Sequence, residues 1–267
     1  MKQVLIFGDS LTQFGYDPGF SGWLAHLSNW LAAKRQVSAY GASGYTTQSY
    51  SHLLPYLVRT HWPTPSARAS ADVVILWLGA NDAVLPHMAQ HVPLPEYEAN
   101  LRALMQGMDA AFPNARVKLM LTAPCFQEER WARHDGVPET DPLPRLNKVV
   151  RTYVEAAKQV VADMPKWTAL DMFAPTYAKA HEQGVDIFCD GLHFNKVGNE
   201  LVFALVKQAL LEQAPDLDDQ DKASLVRGWP AWNMLPPMSD KEGVKRVIDE
   251  FMAKVDVGAG PVENGSA

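Results

Sequence analysis

Five short runs rich in apolar residues, separated by stretches with helical periodicity, constrain this chain more than any other feature. The runs are Val4 to Phe7, Gln36 to Tyr40, Val73 to Leu78, Val117 to Leu121 and Thr168 to Leu170. Their length and near-continuous apolar character fit strands that are covered on both faces. Between them, Trp23 to Ala33, Ser49 to Val58, Tyr97 to Ala111 and Arg145 to Ala162 repeat apolar residues every three or four positions. Lys196 to Leu211 does the same after the last run. Strands joined through helices require right-handed crossovers, which put helices on both faces of a parallel sheet. The expectation is an α/β fold: a three-layer α/β/α sandwich around a five-stranded parallel sheet in the order 2-1-3-4-5. In that order a crevice opens between the carboxyl ends of strands 1 and 3.

The length of 267 residues and a hydrophobic content of 47% allow one large domain with a substantial core. We place that domain at residues 1–212. Two connections are long: Thr60 to Ser70, with Pro63 and Pro65, and Cys125 to Pro144, which follows strand 4 and should overhang the crevice. Beyond residue 212 the pattern changes. An extension over 213–257 carries Trp229-Pro230-Ala231-Trp232 and Pro236-Pro237, then an amphipathic helix from Asp240 to Lys254. Two tryptophans beside several prolines are costly to leave in water, so the extension is expected to dock on the domain or on a second subunit, which would make a homodimer. Residues 258–267 are small and polar and read as a disordered tail.

Several function classes are excluded by composition. With Lys+Arg 24 against Asp+Glu 30 the net charge is -6, and no dense basic stretch is present to neutralise phosphates, so nucleic acid is not an expected partner. Cys125 and Cys189 are too few for a disulfide framework and lack zinc-site spacing. His26, His52, His61, His87, His91 and His181 are scattered without metal-ligand spacing, so no metal and no cofactor are expected. No run approaches the roughly 20 apolar residues that cross a bilayer. Read as printed, with no leader pattern before the first strand, the chain is expected to be cytoplasmic.

The chemistry-bearing residues sit where the strands end. Gly8-Asp9-Ser10-Leu11-Thr12 follows the first run, Gly79-Ala80-Asn81-Asp82 the third, and Asp190-Gly191-Leu192-His193 stands near the start of a late helix. Singly, Asp-Ser and Asn-Asp after a strand read as turns and helix caps. Together they supply a nucleophile, an amide donor, a carboxylate and an imidazole. A serine hydroxyl needs a base, which His193 offers, and the base needs an orienting carboxylate, which Asp190 offers one helical turn earlier. Attack on an ester puts negative charge on oxygen, and the N–H groups of Ser10 and Gly44 with the Asn81 amide are the natural donors. Asp9 and Asp82 are expected to support the site by ordering its loops. Ser43 is a rival nucleophile, but Gly-x-Ser-x-Gly would need glycine where Tyr45 stands. His134, Glu128 and Glu129 read as solvated charges. Phe14, Trp23 and Tyr45, close in sequence to these residues, are candidates to line the substrate space.

With Gly8-Asp9-Ser10-Leu11-Thr12-Gln13, Ala42-Ser43-Gly44-Tyr45, Gly79-Ala80-Asn81-Asp82 and Asp190-Gly191-Leu192-His193-Phe194-Asn195 in this order, the chain resembles the GDSL esterases of the SGNH hydrolase superfamily. Within it, the chain is most similar to the isoamyl-acetate-hydrolysing group. The resemblance implies Ser10 as nucleophile, Asp190 and His193 as its partners, and Gly44 and Asn81 as oxyanion donors. It also implies a cofactor-free hydrolysis of small, short-chain esters such as acetates, with acetylated carbohydrates, lysophospholipids and thioesters as alternatives. A flavodoxin-like binding module would use the same strand order, but no glycine- or hydroxyl-rich phosphate loop follows strand 1.

Overall fold

A computed structural model describes residues 2–32, 35–218, 234–237 and 239–256. Its sheet has five parallel strands, β1 (Lys2–Gly8), β2 (Arg35–Gly41), β3 (Ala71–Trp77), β4 (Val117–Leu121) and β5 (Thr168–Leu170), in the expected order β2-β1-β3-β4-β5. All of β3 and β4 is buried, as their apolar runs require, whereas the flanking β2 is only half-buried.

The helices of the first unit are α1 (Ser10–Gln13), α2 (Trp23–Trp30), α3 (Thr47–His61), α4 (Pro65–Ala69), α5 (Leu94–Ala111), α6 (Glu128–His134), α7 (Asn147–Ala162), α8 (Phe173–Tyr177) and α9 (Lys196–Gln213). Helices α2 and α9 pack together as one layer, and α3, α5 and α7 form the other. Helix α7 shows how the period of 3.6 selects a face: Val150, Tyr153, Val154, Ala157, Val160 and Val161 turn inward. Both long connections hold local structure that their prolines concealed. Thr64 caps α4 by accepting from the Ala67 N–H at 3.2 Å. The second connection holds α6, with buried Trp131 as its anchor.

The chain divides into two compact units, Met1–Asp218 and Asp219–Ala267. Ala214 and Leu217 are buried in the core, so the first unit continues six residues past the expected end at 212. In the second unit the expected amphipathic helix is present as α10 (Lys241–Asp256), with Asp240 accepting from the Gly243 N–H at 2.9 Å. Trp229, Trp232 and residues 258–267 lie outside the described residues. Among the described residues no helix is long and apolar enough to cross a membrane.

Candidate active site

Strand β1 ends at Gly8, and the chain turns at once into α1 under the control of Asp9, whose Oδ1 accepts from the Leu11 N–H at 2.9 Å. A side chain at Gly8 would stand 2.6 Å from the Trp77 carbonyl oxygen, so only glycine lets β1 and β3 meet at this point. Ser10 is thereby held as the first residue of α1, almost buried, with its Oγ 2.9 Å from His193 Nε2.

His193 arrives from the other end of the chain. Its Nδ1 lies 2.6 Å from Asp190 Oδ2, while Asp190 Oδ1 accepts from the N–H groups of Leu192 and His193 at 2.8 and 2.7 Å. Burial pushes the Asp190 carboxyl up, but the imidazole bond and the two amides outweigh it and hold the group down at about 2. An ionised Asp190 therefore faces Nδ1, which directs the opposite ring nitrogen at Ser10. The turn depends on Gly191, whose φ of +104° and approach to the Trp131 amide leave no space for a side chain. Two aromatic edges fix the plane of the imidazole, Phe14 at 5.1 Å and Trp131 at 5.6 Å between ring centroids.

Asn81 follows β3 and is buried. Its Nδ2 donates to the Tyr45 carbonyl at 2.9 Å, and its Oδ1 accepts from Arg145 Nη2 at 3.2 Å. Gly44 has a φ of +78°, its carbonyl accepts from Gln90 Nε2 at 2.8 Å, and its N–H makes no hydrogen bond among the described residues. Asp82 ties this loop to α3, its Oδ1 accepting from the Thr47 N–H and hydroxyl at 2.9 and 2.5 Å.

Asp9 and Asp82 are both buried, and each keeps one carboxylate oxygen without a hydrogen-bond partner among the described residues. Desolvation raises Asp9 to about 7 and Asp82 to about 6. The folded protein thus holds the Asp9 proton more tightly than the unfolded chain, whose reference value is 3.8. The resulting stabilisation is complete below that value and is lost as pH rises through about 7. Asp9→Asn cannot ionise, so its thermal stability should gain on the wild type by about 1 kcal/mol per pH unit across this window. Thermal unfolding of both proteins at intervals from pH 4 to 8 checks this, and a gap independent of pH would contradict it.

A cavity of about 360 Å³ opens beside Ser10, lined by Leu11, Phe14, Phe20, His193 and Phe194, with His134 and Cys189 among its polar wall. Of the three aromatic residues expected to line substrate space, Phe14 does so. Trp23 does not: it is wholly buried, donates to the Leu11 carbonyl at 3.0 Å and packs edge-on against Trp77. Its proximity to Ser10 in sequence was misleading because α2 turns that ring into the core. Tyr45 is also off the cavity wall and contributes its carbonyl instead. His134, read as a solvated charge, is on the wall, with Nε2 3.9 Å from Asp190 Oδ2. Glu128 accepts from the Asn147 N–H at 2.5 Å, so it caps a connection rather than facing water freely. Ser43 lines the cavity, but it bonds through its N–H, to Gln13 Oε1 at 2.6 Å, and no imidazole bonds to its hydroxyl among the described residues. Arg145 and Trp131 went unpredicted. Trp131 stands in a proline-rich connection without a periodic signal, and Arg145 opens a helical stretch whose periodicity marks apolar positions and not a buried charge.

Residues 6–201 match the model of the GDSL-like Lipase/Acylhydrolase family. The chain is 37% identical over 205 residues to an isoamyl acetate-hydrolyzing esterase 1 homolog of Bos taurus, covering 76% of this chain and 78% of that protein. It is 29% identical to the isoamyl acetate-hydrolyzing esterase of Schizosaccharomyces pombe, covering 81% and 78%. Among solved structures, an acetylxylan esterase from Geobacillus stearothermophilus superposes with a TM-score of 0.54 at 20% identity, covering 78% and 94%, which is a likeness of fold.

Proposed function

This chain belongs to the GDSL-like lipase/acylhydrolase family, and from that premise we propose that it hydrolyses acetic esters of small apolar alcohols through an acyl-enzyme on Ser10. The observation that carries this reading is the unbroken hydrogen-bonded chain Asp190, His193, Ser10 on the wall of an apolar cavity. In the proposed cycle Ser10 Oγ attacks the ester carbonyl while His193 Nε2 takes its proton. Asp190, ionised well below neutral pH, stabilises the imidazolium. The developing oxyanion is met by the N–H groups of Ser10 and Gly44 and by Asn81 Nδ2. His193 then returns the proton to the departing alkoxide, and water deacylates Ser10 by the same route.

The choice of substrate rests on where the cavity lies. The imidazole must reach the leaving oxygen, so the space that His193 lines is the space for the alcohol. Its walls, Leu11, Phe14, Phe20 and Phe194, suit a short alkyl chain. Asn81, Gly44 and Tyr45 do not border that cavity, which favours a small acyl group on the oxyanion side. The names borne by the bovine and fission-yeast relatives agree with acetyl esters.

A panel of purified esters tests the reading. Alkyl acetates with four to eight carbons in the alcohol should give the highest kcat/KM, ahead of long-chain acyl esters, acetylated sugars, lysophospholipids and acyl thioesters. Phe14→Ala should raise KM for the longer alkyl acetates by about tenfold with a smaller change in kcat, since it removes apolar contact made equally to ground and transition states. A preference for long acyl chains would overturn the substrate assignment. Absence of Ser10-dependent turnover on every ester would overturn the hydrolase reading.

A further inference from the structure

We infer that Arg145 is a positioning residue that locks the Asn81 amide into the one orientation in which it can stabilise an oxyanion. The inference rests on the esterase reading and deepens it. Arg145 is 4% exposed, an unusual burial for a guanidinium. It reaches the site from the far side of the long connection after β4. Nη1 donates to the Ala80 carbonyl and Nη2 to Asn81 Oδ1 at 3.2 Å. The guanidinium is packed against the rings of Phe126 and Trp131, 5.6 and 5.5 Å from their centroids.

An asparagine amide can turn through half a circle, exchanging its oxygen for its nitrogen at little cost unless its partners forbid it. Here both partners do. Arg145 has donors only, so Oδ1 must face it; the Tyr45 carbonyl is an acceptor only, so Nδ2 must face that. One N–H of Nδ2 is used on Tyr45, and the second remains for the substrate oxygen. A cation on Oδ1 also draws electron density from the amide, which makes that second N–H a stronger donor. Burial lowers the Arg145 pKa to about 10, and the acidic groups Asp9, Asp135 and Asp82 oppose that fall as they ionise. The guanidinium thus holds the loop that carries Asn81 by both its backbone and its side chain. Trp131 extends the arrangement, with one neighbour Arg145 and another the His193 ring.

The test is a double-mutant cycle on the full chain, using Arg145→Lys and Asn81→Ala, with Arg145→Gln as a second variant. Two rates are read: kcat on an alkyl acetate, and phosphonylation of Ser10 by a fluorophosphonate. In the second reaction the Oγ–phosphorus bond forms, fluoride leaves and the hydroxyl proton passes to His193, with negative charge developing on the phosphoryl oxygen. Arg145→Lys keeps the charge but loses the paired donors. It should lower both rates by about tenfold to a hundredfold with KM changed less than about threefold. In the Asn81→Ala background the same substitution should cost less than about twofold, because there is no amide left to orient. Equal loss with and without Asn81 would overturn the proposal, as would full activity of a folded Arg145→Gln. Failure of both Arg145 variants to fold would make the residue a determinant of the fold and overturn the proposal too. A chain that turns over no ester yet shows the coupling in phosphonylation would sink the substrate reading and leave this one standing.

Discussion

Ser10→Ala is expected to lower kcat by at least about a thousandfold while the protein stays folded. The Ser10 hydroxyl is the group on which the proposed acyl-enzyme is built, and its bond to His193 Nε2 at 2.9 Å would prepare it for deprotonation. Without it, the oxyanion donors can still bind an ester but have no attached nucleophile to assist. Structure should be little affected, because a single neutral hydrogen bond at the rim of the cavity contributes only about 1 kcal/mol. Steady-state kinetics on an alkyl acetate, with circular dichroism and thermal unfolding alongside, give both readouts. A variant that retained near-normal turnover would show that another residue carries the chemistry. Ser43 would then be the first to examine, since it lines the same cavity.

Asn81→Ala is expected to remove about 2.7–4 kcal/mol of transition-state stabilisation, a loss of about a hundredfold to a thousandfold in kcat. Charge appears on the carbonyl oxygen only as Ser10 attacks, so a donor directed at that charge acts on kcat far more than on KM. The effect is large because the amide is buried and already oriented by Tyr45 and Arg145, and nothing has to reorganise during the reaction. Alanine leaves the Arg145 guanidinium without one of its acceptors, and a modest fall in thermal stability should accompany the kinetic loss. A change confined to KM would mean that Asn81 binds the ground state and that other donors meet the oxyanion. Comparing kcat and KM for wild type and variant on one ester decides between these outcomes.

Much of this protein was legible because its sheet is built from local signals. Apolar runs of three to six residues and helical stretches between them are properties of neighbouring residues, and the handedness of crossovers leaves few ways to connect them. The order β2-β1-β3-β4-β5 followed, and with it the crevice between β1 and β3. Ser10, Asn81, Asp190 and His193 were legible for another reason. Each alone reads as an ordinary turn or cap, and what marked them was their occurrence in order, at strand ends and before a late helix, in a pattern that resembles the GDSL esterases.

What no local pattern could reveal was how residues distant in sequence share the space above the sheet. Trp23 is thirteen residues from Ser10 and turns away into the core, whereas Trp131 lies far along the chain and packs beside His193. The two side chains are the same indole, and only packing separates them. Arg145 is the sharper case. It opens the helical stretch expected over Arg145 to Ala162, where nothing in the periodicity marks a buried charge, yet it crosses 64 positions of sequence to meet Asn81. Burying a guanidinium is unfavourable unless carbonyls, carboxylates and aromatic faces converge on it at once. The groups that meet it, the Ala80 carbonyl, Asn81 Oδ1 and the rings of Phe126 and Trp131, come from two stretches of chain remote from each other. The sequence by itself determined the sheet, through short-range periodicity, and the identity of the groups at its carboxyl edge, through ordered motifs that resemble those of a known family. Which side chains surround and orient those groups was decided only by tertiary structure, because the burial of a polar residue depends on partners that no single stretch of chain contains.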